Sequence, residues 1–440
     1  MSPMFHVSFS KAAPFALALS LAAFPARTED VKPLVDDVFE ARFLFGVDGE
    51  YQGNLDLDDS DNEDVQEYEP FLRTSLTYRP TDWLRAFLET EIKVKLTYEQ
   101  GEPDDVDPSL DVTQAYLQFK DVVVEDSELT IGRFLMRDRQ EWLFDENLDG
   151  LRFTYEKDEV EIDFSVSRVN LAHRDLFDSD SVGDQINNVA LMADFEVAED
   201  LWIGGYGVVR DDRSPDPAEG NPVHFGLRTH GELADNLTHW LDLAAVRGDD
   251  GTEQLEGYAV NAGATYTFER LPAAPRLTLG YAWASGDDDP DDGRNTEFRQ
   301  AGLQSNEGRF GDSAKFKYYG EVFDPELSNM SILTVGLGIN PTEQLSVDLV
   351  YHRYRQSVAS DTLRDSAIDL DPNEDGGPFS KDLGEEIDLV VGYRPTQAWE
   401  FEFAAGYFQP GAAYRIGQPD GSSGPVDPAF FTRLGVEYRF

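Results

Sequence analysis

Apolar and polar residues alternate along many short stretches of this chain. Between residues 84 and 95, the even-numbered positions are apolar apart from Thr90, and the odd-numbered positions are charged apart from Phe87. Side chains of a β-strand point alternately to its two faces, so this period of two predicts a strand with one apolar and one charged face. The same pattern recurs at 160–166 and 386–394.

Segments of this kind fill the chain, and the connections between them differ in length. Short turns such as 79–82, 157–158 and 340–342 take turns with long acidic loops. A soluble sandwich also shows alternating strands, but short turns alternating with long loops are typical of a bacterial outer-membrane barrel. We therefore predict an all-β fold, a transmembrane antiparallel up-and-down β-barrel of about 18 strands, with short periplasmic turns and long acidic extracellular loops. The predicted strands are 41–49, 67–79, 83–96, 112–121, 127–134, 149–156, 159–168, 188–198, 200–210, 222–234, 238–248, 256–269, 274–285, 329–340, 344–355, 385–395, 398–409 and 429–440.

One further segment, Phe316 to Phe323, also looks like a strand. Counting it would make the number of strands odd, whereas a bacterial barrel of this kind needs an even number. We therefore place it inside the loop between Ser285 and Asn329, with the segment 286–328 expected to gate the opening or to fold into the lumen.

The first residues have the composition of an export signal. A weakly basic start precedes an apolar run from about Ala12 to Phe24, which predicts a signal peptide at 1–26 with cleavage near Ala23 or Ala26. Residues 27–440 would then form the barrel as one domain. The sequence has no cysteine, which excludes disulfides and thiolate metal sites, and its mean hydropathy is −0.45. The expected location is the bacterial outer membrane.

The chain is strongly acidic. It carries 86 Asp and Glu against 36 Lys and Arg, for a formal net charge of −50, which argues against nucleic acid as a partner because phosphates would be repelled. The acidic residues concentrate in loops such as 56–69, 99–107, 287–292 and 361–375. A saline habitat and binding of divalent cations at lipopolysaccharide both remain open as reasons.

Basic residues lie on the polar face of several predicted strands. If the apolar face meets lipid, these residues line the lumen; among them are Arg42, Arg73, Lys93, Arg152, Arg228 and Arg433. Acidic residues share the same face, so cross-strand ion pairs that brace the wall are one interpretation. The other is that some guanidinium groups reach a constriction and bind carboxylates in a bidentate manner.

Several motifs resemble the alginate-export outer-membrane family. They are Gly132-Arg133, then Arg137 to Trp142 (RDRQEW), Asp145 to Phe153 (DENLDGLRF), Gly302 to Asn306 with Arg309-Phe310, Gly320-Glu321 with Pro325 to Asn329, and Leu349 to Arg355 (LVYHRYR). The resemblance implies an 18-stranded barrel with an arginine-rich constriction. It adds Arg133, Arg137, Arg139, Arg309, Arg353 and Arg355 to Arg152 as pore residues. Arg133 and Arg353 lie an even number of residues from lipid-facing neighbours on their strands, so we expect these two arginines at the rim.

No motif supports catalysis or a cofactor. Asp145-x-Asn147-x-Asp149-Gly150 fits a calcium loop formally, but the alternation that follows predicts a strand rather than a curled loop. Asp371, Asn373 and Asp375 lie in a true loop and could hold adventitious calcium. His352 beside Asp348 is the nearest approach to a hydrolase pair, and hydrogen bonding in the lumen is the simpler interpretation.

The sequence thus predicts an outer-membrane pore that passes alginate or a similar polyuronate through an arginine-lined lumen by facilitated diffusion, and not an enzyme. A general porin for small acidic sugars and a plugged structural or adhesive barrel are the alternatives. The expected partners are the anionic polysaccharide, outer-membrane lipid and lipopolysaccharide, and periplasmic export proteins.

Overall fold

Eighteen long strands dominate the computed structural model of the protein. It describes residues 38–58, 64–99, 104–169, 171–172, 174–177, 186–213, 220–251, 253–308, 314–373, 379–417, 423–424 and 426–440. The strands are β1 (Phe39–Gly53), β2 (Val65–Thr81), β3 (Leu84–Glu99), β4 (Asp105–Lys120), β5 (Ser127–Arg137), β6 (Asp145–Lys157), β7 (Val160–Arg168), β8 (Ile186–Ala198), β9 (Leu201–Asp212), β10 (Asn221–Ala234), β11 (Leu237–Asp249), β12 (Tyr258–Thr267), β13 (Arg276–Ala284), β14 (Met330–Thr342), β15 (Leu345–Gln356), β16 (Asp382–Tyr393), β17 (Trp399–Pro410) and β18 (Ala429–Arg439). The predicted signal peptide lies outside the described residues.

The sheet closes on itself. Each strand pairs antiparallel with the next along the chain, and β1 also pairs with β18 from Leu44↔Arg439 to Gly53↔Phe430. Closure satisfies the backbone hydrogen bonds of every strand without leaving an edge, as a membrane-spanning sheet requires. The predicted barrel and its strand number are confirmed. Among the described residues, no helix is long and apolar enough to span a membrane.

The connections alternate between short and long as predicted, with one exception. On the side that holds both ends of the barrel, turns such as 158–159, 199–200 and 235–236 are tight, and Asp158, Asp200 and Asn236 adopt positive φ angles of 50°, 55° and 63°. Asp and Asn tolerate this left-handed conformation better than other non-glycine residues. On the opposite, extracellular side the connections are long, except for the one between β3 and β4, which are paired as far as Thr97 and Asp105.

The β4 strand differs most from its predicted bounds. It begins at Asp105 rather than near residue 112, because Asp105 and Asp107 pair with Thr97 and Lys95 of β3. The predicted acidic loop 99–107 is therefore partly strand. Charge predicted a loop there, but a hairpin that rises beyond the bilayer is solvated by water and can carry charged side chains on both faces.

The outward face of the barrel is apolar and exposed. Large residues on it include Phe45, Ile92, Ile131, Leu227, Leu279 and Leu349. In water this surface would be unfavourable, whereas in a bilayer it faces hydrocarbon. The lumen-facing side chains that alternate with these are mostly polar or small, and apolar ones such as Val208 and Val246 are buried.

The interior of the barrel is not empty. Within the segment 286–328 of the β13–β14 connection, the described residues from 296 onward fold inward and bury Phe298, Leu303, Phe316, Phe323 and Leu327 against the wall. Residues 316–317 pair with residues 307–308 in a small hairpin of their own, outside the barrel sheet. Placing Phe316–Phe323 within this loop was correct. We call 286–328 the inward segment.

Candidate functional site

The lumen wall has a buried half and an open half. On β8 to β17 many inward side chains are fully covered, as Asn188, Val208, Val246, His352 and Asp388 show. On β1 to β4 the corresponding side chains remain partly exposed, and they are mostly charged. The open half is therefore the surface along which a solute can pass.

Charged side chains form a ladder across β2 and β3. Lys95 Nζ lies 2.8 Å from Glu67, Lys93 Nζ lies 3.2 Å from Glu69, and an Arg73 guanidinium nitrogen lies 2.6 Å from Glu91. The basic side chains keep 43%, 31% and 39% of their area exposed. Ion pairs with this much exposure contribute about 0–1 kcal/mol, so exchanging a partner costs little.

Below this ladder, Arg85 lies over two aromatic rings. Its guanidinium carbon is 5.2 Å from the centroid of Phe87 and 5.8 Å from that of Tyr116, in reach of a cation–π interaction. The nearby Glu89 accepts hydrogen bonds from Ser75 at 2.7 Å and from Thr113 at 3.0 Å. Aromatic and charged groups thus share this part of the open half.

Other arginines of the lumen are bound tightly by the wall itself. Arg152 donates through two nitrogens to Asp163 and also to the Leu135 carbonyl at 3.1 Å. Arg228 likewise engages both oxygens of Asp194. These bidentate pairs connect neighbouring or next-neighbouring strands, which is the bracing role that inward acids also predicted.

The β5–β6 connection (138–144) also enters the lumen. Asp138 accepts backbone hydrogen bonds from Leu143 at 2.8 Å, Phe144 at 2.7 Å and Trp142 at 3.3 Å. Burial raises the pKa of Asp138 although these donors oppose the shift. Trp142 donates to the Tyr319 hydroxyl at 2.8 Å, so the connection and the inward segment support each other.

This connection holds Arg139 in an exposed position. Arg139 lies within electrostatic range of Glu161 on β7 and His230 on β10. Within the described part of the chain, its guanidinium makes neither a hydrogen bond nor an ion pair, in contrast to Arg152 and Arg228. A guanidinium held by a rigid loop and left without a partner can bind an anion in the lumen.

The inward segment is anchored most firmly on β15 to β17. Glu386 accepts hydrogen bonds from the amides of Val322 at 2.7 Å and Phe323 at 3.0 Å. The Phe323 ring stacks on Phe408 at 5.1 Å and meets the edge of Tyr354 at 4.7 Å. The backbone approaches closely here, because a Cβ on Gly406 would lie 2.4 Å from Val322.

Arg433 of β18 faces a group of carboxylates beside this anchor. Glu50, Glu307, Glu321 and Glu402 lie within electrostatic range of it, yet no described residue forms an ion pair with its guanidinium. Burial raises the pKa of Glu321 to about 7 despite the attraction of Arg433. Arg433, like Arg139, is thus a lumen arginine that forms no ion pair with a described carboxylate.

Most of the chain matches one protein family. A sequence profile of the family described as Alginate export matches residues 47–424. The chain belongs to the alginate export family. Within it, the alginate production protein AlgE of Azotobacter vinelandii is 31% identical over 149 residues, which are 32% of this chain and 30% of that protein. AlgE of Pseudomonas aeruginosa is 32% identical over 201 residues, 42% of this chain and 39% of that protein. The chain thus aligns with well under half the length of these relatives.

Solved structures with the same fold include an outer-membrane protein. OprD of Pseudomonas aeruginosa superposes with a TM-score of 0.56 at 12% identity, covering 93% of this chain and 95% of that one. OpdQ of the same organism gives 0.56 at 14% identity, with 92% and 99% covered. At such low identity the likeness shows the fold alone. Family and fold together place this alginate export family member in the bacterial outer membrane.

The family motifs contribute arginines to three different surroundings. Arg137 at the extracellular end of β5 contacts Asp145 and Glu141, the latter at 3.0 Å. Arg133 is buried, with 5% of its side chain exposed, and binds both oxygens of Asp149 at 2.8 Å. The carbonyls of Val112 and Ala172 accept two further hydrogen bonds from it. Arg133 is therefore a structural residue under the 171–176 loop.

Arg353 and Arg355 lie on the outward face of β15, away from the lumen, as parity indicated for Arg353. Arg42 lies at the periplasmic mouth, where it pairs with Glu40 and keeps 74% of its side chain exposed. Arg309 lies outside the described residues, so its role stays a prediction. The structure places the lumen candidates Arg73 and Lys93 on neighbouring strands, and it brings Arg139 and Arg228 within electrostatic range of the same two groups, Glu161 and His230.

Two of the three calcium candidates, Asp371 and Asn373, lie within the described residues. The Asn373 side chain is used within its loop, accepting from the Ser380 amide at 2.7 Å and donating to the Ser360 carbonyl at 2.7 Å. Asp371 is exposed, and Asp375 lies outside the described residues. Among the described residues, no group of three or more His, Asp or Glu could hold a metal ion.

Sequence reasoning missed two lysines of the lumen. Lys315 and Lys317 belong to the inward segment, where Lys315 lies 3.4 Å from Glu141 and Lys317 pairs with Asp324. Neither lysine was predicted to face the lumen, because the side chains of a loop do not follow a regular period that indicates where they point. The alternation of Lys315 and Lys317 with Phe316 and Tyr318 was the available signal.

Proposed function

We propose that this alginate export family member is a passive outer-membrane pore that passes alginate or a similar polyuronate by facilitated diffusion. The observation that carries the proposal is the open half of the lumen wall, where exposed basic side chains pair weakly with wall carboxylates. Along such a surface a polyanion can move from one cationic side chain to the next. The names of the relatives, which are alginate production proteins, support the choice of substrate.

Weak binding is what transport requires of this wall. A uronate carboxylate that approaches Lys93, Lys95 or Arg73 displaces a wall carboxylate, and the wall carboxylate returns as the polymer advances. Because each such pair contributes about 0–1 kcal/mol, neither capture nor release is slow. The wall carboxylates therefore limit residence, as a conducting pore needs multiple weak sites.

Arg139 and Arg433 serve a different role in this proposal. Both are held in the lumen without an ion pair in the described structure, so binding a uronate at either guanidinium displaces no partner. Charge-assisted hydrogen bonds to a carboxylate contribute about 1.5–3 kcal/mol each. We assign the selectivity for anions to these two residues and the conduction path to the ladder of β2 and β3. Catalysis has no part in this function, and periplasmic export partners would supply the polymer.

Single-channel recording in a planar bilayer tests the proposal. We expect anion-selective openings that oligomannuronate blocks and a neutral oligosaccharide of equal length does not. The double variant Arg139→Gln with Arg433→Gln should weaken the block at least tenfold, whereas Arg213→Gln, an exposed arginine paired with Asp211, should not change it. A silent barrel would support the structural alternative, and equal block by both sugars would support a general porin.

A further inference from the structure

Arg353 and Arg355 lie where lipid, not solute, covers the barrel. They follow Leu349 and Tyr351 on the same face of β15, and Leu349 is exposed on the apolar outside. In register, Arg353 is level with Leu333 of β14, another exposed apolar residue. The apolar surface is thus continuous from Leu349 up to the two arginines.

The two arginines stand at the extracellular boundary of this apolar surface. β15 starts at the tight turn 343–344 and ends in the long connection 357–381, so its last residues lie at the extracellular end. Side chains at this height meet the headgroup layer of the outer leaflet. Residues two apart on one strand face are separated by about 6.5–7 Å, so both guanidinium groups can reach one headgroup.

Arg353 and Arg355 differ in their contacts with the rest of the protein. Arg353 is held by Asp382 at 2.7 Å and Glu385 at 3.4 Å, and Glu385 also accepts from the Tyr351 hydroxyl at 2.8 Å. Arg355 is exposed, and its guanidinium makes no hydrogen bond or ion pair with any described residue. Arg353 is therefore braced in place, while the donors of Arg355 face outward and are open.

Lys381 adds a third positive charge beside Arg355. Its carbonyl accepts the Gln356 amide at 2.8 Å, which places Lys381 level with the end of β15, and its ammonium group contacts the Ser357 carbonyl. Three cations against two carboxylates make this rim locally positive on a chain whose net charge is −50. Local positive charge at a lipid boundary favours an anionic headgroup.

We propose that Arg353, Arg355 and Lys381 form an outer-rim binding site for the phosphate groups of an outer-leaflet glycolipid. A guanidinium fork matches a phosphate in bidentate geometry, and Arg355 has the open donors for it. Lipid is the occupant because the site continues the lipid-facing surface, while the lumen lies on the opposite side of the strand. The site needs no transported substrate, so it does not depend on the proposed pore function.

Thermal unfolding of the refolded full-length protein in detergent tests the site, with lipid A as the probe and dephosphorylated lipid A as its control. We expect lipid A to raise the melting temperature and the dephosphorylated lipid to raise it less. Arg355→Gln should weaken lipid A binding about tenfold, which corresponds to the loss of about 1.4 kcal/mol, with the melting temperature of the lipid-free protein unchanged.

Arg294→Gln is the matched control, because Arg294 is an exposed extracellular arginine in the β13–β14 connection rather than on the barrel exterior. It should bind lipid A as the unmodified protein does. Equal stabilisation by both lipids, or equal lipid A binding by the Arg355→Gln and Arg294→Gln variants, would overturn the proposal.

Discussion

Truncating Phe323 should release the inward segment from the wall. The ring is fully buried between Phe408 and Tyr354, and its amide donates to Glu386. Replacing a buried Phe by Ala costs about 3–5 kcal/mol, and the two aromatic contacts account for about 0.5–1.5 kcal/mol each of such a loss. At 1.4 kcal/mol per factor of ten, a loss of this size shifts the balance between docked and released segment by roughly 10²- to 4 × 10³-fold.

Two readouts follow the release of the segment. In single-channel recordings, Phe323→Ala should show more frequent openings of larger conductance. Limited proteolysis with trypsin should cut at Lys315 or Lys317, which are now 29% and 23% exposed inside the lumen. Phe225→Ala, the same truncation on the lipid-facing surface, should change neither readout. If Phe323→Ala keeps both the conductance and the trypsin resistance, the segment is not a movable gate.

Three further predictions concern stability, each measured as the free energy of unfolding in detergent. Asp149→Asn leaves Arg133 buried beside a neutral partner and should cost about 3–5 kcal/mol. Glu67→Gln, in the exposed ladder, should cost less than about 1 kcal/mol. Equal losses would contradict the argument that the buried ion pair matters more for stability than the exposed one. Gly150→Ala puts a Cβ 2.2 Å from a backbone carbonyl of the neighbouring strand and should destabilise by about 1–3 kcal/mol, and a neutral result would show that the strands separate easily. The pKa of Glu321 is raised to about 7, so between about pH 4.5 and 7 Glu321 is protonated in the folded state and ionised in the unfolded state. The contribution of Glu321 to stability is therefore full below about pH 4.5 and is lost as the pH rises through 7. Glu321→Gln should remove this slope and be the more stable form at about pH 8; an unchanged slope would assign the pH dependence to another group.

The strands could be predicted from the sequence because lipid imposes a simple rule. Outward positions within the hydrocarbon layer must be apolar, and the period of two then reveals both the strand and the direction of its side chains, including that of Arg353 at the end of β15. The signal weakens where this constraint ends. β4 was predicted too short because its first residues rise above the bilayer, and there nothing prevents a strand from carrying Asp105 and Asp107.

The site was harder to predict than the fold. Parity indicates that Arg152 and Arg228 face the lumen, but not that Asp163 and Asp194 already bind them, because pairing depends on register and on diagonal neighbours. Arg139 lies in a connection without any period, so only the family resemblance pointed to it. The same resemblance suggested Arg355 as a pore residue, although the strand turns its side chain outward.

The buried half and the open half of the lumen wall should tolerate substitutions to different extents. Inward positions on β8 to β17 are enclosed by the inward segment, so a change of volume at Val208 or Val246 disturbs packing and will be tolerated only with a compensating change in that segment. Most inward positions on β1 to β4 contact water and each other, so their side chains are freer to vary in size and charge. A protein engineer could therefore change the charges along the proposed conduction path on these four strands while leaving the rest of the barrel untouched.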